Sequence, residues 1–97
     1  MEKSIEQLSL LKDFFQKILS DPRIGASHIS VFCALVQMAA DTDSNPVLLR
    51  SYEVMEASKI LGLATYHRCI KDLHEQGYLR YSPSYNHRKK SRFYLSC

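Results

Sequence analysis

The chain has 97 residues, 45% hydrophobic and 24% charged, ordinary values for one globular domain, so disorder is not the default expectation. No apolar run approaches the roughly 20 residues that cross a bilayer, and "MEKSIEQLSLLKDFF" lacks the build of a secretory leader, so no membrane partner is expected. The net charge of +3 is unevenly spread: Met1 to Tyr66 holds six Lys or Arg against eight acids, and His67 to Cys97 holds seven against two.

In chain order, the spacing predicts a first helix over Ile5 to Leu19. Ser4 and Gln7 stand at capping-box spacing. Ile5, Leu8, Leu11, Phe15 and Ile18 form its core stripe. Leu10, Phe14 and Leu19 widen that stripe beyond the needs of one neighbour and suggest a dimerisation element. Pro22 in "SDPR" ends the helix. A second helix starts near Ser27, a candidate N-cap, and "ISVFCALVQMAA" makes it apolar nearly all round, as a central helix would be. "DTDSNP" is a loop by composition, and "VLLR" is long enough for one brief strand.

A third helix starts at Ser51 or Tyr52 and ends around Leu61, with Gly62 supplying a positive-φ turn. A fourth follows, with Thr65 as N-cap and Gly77 as the residue that stops it. "YLRYSPS" and "SRFYLS" alternate as strands do, around the turn tip "YNHRKK". Pro83 places the first of them at an edge. The fold class is therefore mainly α with a small β-hairpin, extended to a three-stranded antiparallel sheet by the short strand. Helix, helix, strand, helix, helix, strand, strand is the order of a winged helix-turn-helix. The whole chain, 1–97, reads as a single domain, with an N-terminal helix in 1–20, the helix-turn-helix in 51–76 and the wing in 78–96.

At about 100° per residue, Tyr66, Cys69, Ile70 and Leu73 share one arc of the fourth helix and belong to the core. His67, Arg68, Lys71 and Glu75 lie opposite. A recognition helix presents residues near its N-terminus to base edges in the major groove. Arg68 could donate bidentately to guanine, Lys71 could reach guanine or phosphate, and Thr65 with the first-turn N–H groups suits a phosphate oxygen. On spacing alone a solvated charged face explains the helix equally well. The hairpin shifts that balance. "NHRKKSR" carries His87, Arg88, Lys89, Lys90 and Arg92 and no acid, as does a wing that tracks the phosphate backbone. Protection of an edge hairpin against pairing is the competing explanation.

"EASKILGLATYHRCIKDLHEQGYLRY", Glu56 to Tyr81, resembles the recognition unit of winged-helix regulators of the MarR and GntR type. Leu73, Gly77, Tyr78 and Leu79 match the ending of that unit. "TYHRCIKDLHEQGYLRYSPSYN" also resembles small winged-helix proteins of conjugative transposons and related mobile elements of anaerobic gut bacteria. The turn after Gly62 is shorter than in the MarR type, a departure that bears on how the fourth helix would dock.

Nothing in the chain suggests catalysis. No Gly-rich phosphate loop, H-E-x-x-H or G-x-S-x-G occurs. His67 and His74 share part of a face but have no suitably placed carboxylate or thiol, so no metal and no cofactor are expected. Three cysteines without paired spacing suit a reducing, cytoplasmic setting. The expected function is sequence-specific double-stranded DNA binding by a bacterial transcriptional regulator, with a homodimer through the first helix. Two alternatives stay open: a winged-helix protein-interaction module, and a DNA-binding replication or excision factor of a mobile element.

Overall fold

A computed structural model describes residues 2–42, 46–83 and 90–95. Within them, helices α1 (Glu2–Ile18) and α2 (Ala26–Thr42) precede strand β1 (Val47–Leu49). Helices α3 (Ser51–Ser58) and α4 (Leu63–Glu75) follow, then strands β2 (Arg80–Ser82) and β3 (Ser91–Tyr94). The layout is winged-helix-like: mainly helical, with one small antiparallel sheet.

α2 is the centre. Its apolar circumference packs against α1, α3, α4 and β1, and Val31, Phe32, Ala34, Leu35 and Val36 are buried. It begins at Ala26, one position before the predicted cap at Ser27. The residue before it, Gly25, donates its N–H to His28 Nδ1 at 3.0 Å. His28, in the first turn, thus does for Gly25 what Glu does in a capping box. α1 also starts earlier than predicted, at Glu2, which places Ser4 inside the helix and not at its cap.

The larger correction concerns the facing of α1. Phe14, expected at the margin, is the buried anchor at 3% exposure. Its ring stacks on Phe32 at 3.9 Å and 6°, and meets Tyr78 edge-on at 5.4 Å. Leu10, Leu11 and Ile18 pack partly against the core. Leu8 and Phe15, expected inside, are 64% and 42% exposed, and Leu19 is 87% exposed. Apolar residues cover so much of α1 that 3–4 spacing fits more than one rotation. The stack on Phe32 selects the one observed.

The turn after α1 is tied to the far end of the molecule. Tyr78, just past α4, donates its hydroxyl to Asp21 Oδ2 at 2.8 Å, and Arg23 Nε donates to Asp21 Oδ1 at 2.8 Å. The Arg23 guanidinium first, then the Tyr78 hydroxyl, holds the Asp21 carboxyl well below the usual carboxylate range. The folded state therefore binds fewer protons at Asp21 than the unfolded chain does. That contribution to stability is complete above the unfolded value of about 3.9 and is lost as pH falls below it. Asp21→Asn should be less stable than the parent at pH 7, and the difference should shrink as the pH of a urea titration is lowered to about 3.

α3 ends earlier than predicted, and the reason is visible. Lys59, just past it, takes φ 64°, while Gly62 sits at φ −93° in extended backbone. Lys59 N–H donates to Glu56 O at 3.3 Å and Ile60 N–H to Met55 O at 3.0 Å. This is a Schellman ending with lysine in the left-handed position, where glycine is usual. α4 ends the same way on Gly77, at φ 82°, as predicted. Gly77 N–H donates to His74 O at 3.2 Å and Tyr78 N–H to Leu73 O at 2.9 Å. The two positions invite opposite substitutions. Lys59→Gly should stabilise the domain by about 0.5–1 kcal/mol, and Gly77→Ala should destabilise it by about 1 kcal/mol or more. Shifts of urea midpoint in opposite directions would bear this out.

The sheet has the order β1-β3-β2, antiparallel throughout. β1 joins the hairpin as the third strand and pairs with the returning strand β3, not with β2. Val47, Leu49 and Phe93 face the core, and Leu95 is buried just past β3. Leu48, Arg92 and Ser82 lie in one row across the outer face. β2 is an edge strand and stops at Ser82, one residue before Pro83.

Candidate nucleic-acid interface

α4 divides cleanly. Tyr66, Cys69, Ile70 and Leu73 are buried, at 2% exposure or less. His67, Arg68, Lys71 and Glu75 are exposed. Among the described residues, no ion pair engages Arg68 or Lys71. The predicted arc is thus the observed one. Burial pushes the Cys69 thiol above its ordinary value, with the Arg68 charge opposing. Burial likewise raises the half-buried Cys33 thiol. Both remain free thiols.

The start of α4 differs from expectation. Gly62 is the N-cap residue, at ψ 128°, and Tyr66 N–H donates to its carbonyl at 3.0 Å. Thr65 is therefore the third helical residue and does not cap. It is half-buried, and its Oγ1 lies 3.5 Å from where a Cβ on Gly62 would stand. Leu63 and Ala64 tolerate helix well, so the helix extends two residues past the predicted cap towards its N-terminus. No side chain caps this end. The first-turn N–H groups that point outward are those of Leu63, Ala64 and Thr65.

Two histidines hold α4 in place. His28 Nε2 lies 2.8 Å from Asp72 Oδ2. Because Nδ1 of the same ring accepts from Gly25, the ring proton sits on Nε2, which donates to the carboxylate. His28 is buried at 8% exposure, so one imidazole links the start of α2 to the middle of α4. At the other end, His74 Nδ1 accepts from Tyr81 N–H at 3.1 Å and ties α4 to β2. α3 is fixed to α2 by the Ser30 hydroxyl, which donates to the carbonyl of Ser58. Ser58 itself donates to Val54 O at 2.7 Å. Sequence spacing singled out none of these links; His28 in particular sits in an apolar run without a helical partner in view.

The wing is described in part. His87, Arg88 and Lys89 lie outside the described residues. Lys90 and Arg92 are exposed, and Arg92 stands between Leu48 and Ser82 on the outer face. That face holds a cation that the sequence reading missed. Arg80 pairs with Tyr94 across the strands, and its guanidinium sits 4.3 Å from the centre of the Tyr94 ring. The stacked guanidinium is pre-oriented and keeps its N–H edge for an anion. The signal was present: Arg80 and Ser82 alternate with inward-facing Tyr81, so Arg80 had to share the face of Arg92.

A second surface is apolar. Two separate hollows lie along the α1–α2 seam. One, about 530 Å³, is lined by Lys12, Phe15, Gln16, Ile18, Leu19, Ile24 and Ile29. The other, about 230 Å³, is lined by Gln7, Leu8, Leu11, Cys33, Val36 and Gln37. Among the described residues no cluster of side chains could hold a metal ion, and no helix is long and apolar enough to cross a membrane. No protein-family model, curated protein or solved structure matches the chain.

Proposed function

We propose that the chain binds double-stranded DNA with sequence preference, as a cytoplasmic regulator of transcription, with α4 in the major groove. The observation that carries this reading is the exposed His67–Arg68–Lys71 face, free of ion pairs among the described residues, on a helix fixed by four buried residues and two histidine links. Arg68 and His67 read base edges, and Lys71 reaches phosphate or guanine. Arg92, Lys90 and Arg80, with His87, Arg88 and Lys89 of the basic stretch in the sequence between β2 and β3, supply salt-dependent affinity for phosphates. Thr65 contributes through the open first turn of α4, not as its cap. The resemblance to MarR- and GntR-type regulators points the same way. Replication or excision on a mobile element would use the same contacts; gene neighbourhood distinguishes those roles.

A second reading has its own support. The two hollows along α1 and α2, lined in part by exposed Leu8, Phe15 and Leu19, suit a protein contact, in its simplest form a two-fold homodimer. Selection of binding sites from a random duplex library tests both readings. An enriched palindrome supports DNA binding by a dimer, and an enriched single half-site supports DNA binding by a monomer. Absence of any enrichment removes the DNA reading and leaves the protein-interaction module.

A further inference from the structure

Two large apolar side chains at the helix-turn-helix lie outside the buried core. Leu61, in the turn, is 95% exposed, and Leu63, the first residue of α4, is 55% exposed. Ala64 beside them is exposed as well. Backbone geometry does not require these residues, since Lys59 and not Leu61 takes the left-handed conformation.

Their electrostatic setting separates them from exposed Leu8, Phe15 and Leu19, which have Glu6, Asp13 and Asp21 close by in the sequence. From Ala57 to Lys71 the sequence contains no acid, and it contains Lys59, His67, Arg68 and Lys71. All four are exposed. An apolar pair set in a cationic surface fits a polyanion that also presents an apolar group. In the major groove of DNA that group is the 5-methyl of thymine. The N-terminal residues of a recognition helix contact base edges, and the turn leads directly into them.

We infer that Leu61 and Leu63 read thymine methyl groups, which makes the target site of this chain contain thymine beside the base pair contacted by Arg68. This rests on the DNA-binding reading above. It adds a base preference that the cations alone would not give, because phosphate contacts carry no sequence information and Arg68 specifies guanine.

The test replaces one thymine at a time by deoxyuridine in a duplex selected from a random library. That change removes the methyl group and leaves every hydrogen-bonding group in place. Binding is measured for the full chain and for Leu61→Ala and Leu63→Ala, whose exposed positions leave the core intact. The expected result is an affinity loss of about fourfold at one or two thymines, the worth of one buried methyl group. That loss disappears in one of the two variants. Uracil tolerated at every position overturns the inference, and so does an equal loss in the parent and both variants. Neither of those results touches the DNA-binding reading. Failure of the parent to bind any duplex overturns that reading and the inference with it.

Discussion

Phe14→Ala is expected to lower the unfolding free energy by about 3–5 kcal/mol, the usual cost of emptying a buried aromatic site. A domain of ordinary stability has only about 5–15 kcal/mol in total, so the variant should be largely unfolded in mild urea. Phe14 is 3% exposed and its ring lies against Phe32 on one side and Tyr78 on another. Removing it detaches α1 from α2 and loosens the junction between α4 and β2, where Tyr78 also donates to Asp21. The neighbouring Phe15→Ala is the control. At 42% exposure it has less contact to lose, and its cost should stay below about 1 kcal/mol. Urea unfolding followed by circular dichroism reads both. Equal losses would mean that α1 is rotated from the position described. Light scattering on Phe15→Ala then tests the seam: a dimer held by Leu8, Phe15 and Leu19 should weaken while the fold persists.

The second large effect is expected at Arg68. On the duplex enriched by selection, Arg68→Ala should lose about 10- to 100-fold in affinity, corresponding to about 1–3 kcal/mol for a bidentate guanine contact. On unrelated duplex the loss should be small, so the ratio between the two duplexes collapses. Arg68→Lys should restore little of it, because an ammonium cannot present the paired donors of a guanidinium. Lys71→Ala is expected to behave differently: a comparable loss on both duplexes, and a slope of log affinity against log salt that is shallower by about 1. Electrophoretic or fluorescence titrations at several salt concentrations separate the two patterns. Arg68 lies on the surface, so its variant should unfold at the parental urea midpoint, which excludes misfolding as the cause.

α4 was the most legible element in the sequence. Its buried quartet falls in one narrow arc with charged residues opposite, so a single rotation satisfies the pattern. α1 was the least legible, because apolar residues at Leu8, Leu10, Leu11, Phe14, Phe15 and Leu19 fit several rotations. The turn between α3 and α4 was misread for another reason. Glycine at Gly62 marks freedom of backbone, not use of it, and the left-handed residue is Lys59, whose type gives no such signal. Arg80 was legible through strand alternation once the register with β3 is known. His28 was not, since its partners Gly25 and Asp72 belong to two different helical regions.

Local pattern by itself determined the order of the elements, the core face of α4, the stop at Gly77 and the basic character of the C-terminal third. Each depends on interactions among neighbours in sequence: helical periodicity, strand alternation, the steric freedom of glycine and the count of charges. Tertiary structure alone decided which side of α1 is buried and which side chains hold α4 against α2 and β2. Those outcomes depend on contacts between residues far apart in the chain, Phe14 with Phe32 and Tyr78, His28 with Asp72. The energy of such contacts exists only once the helices have met.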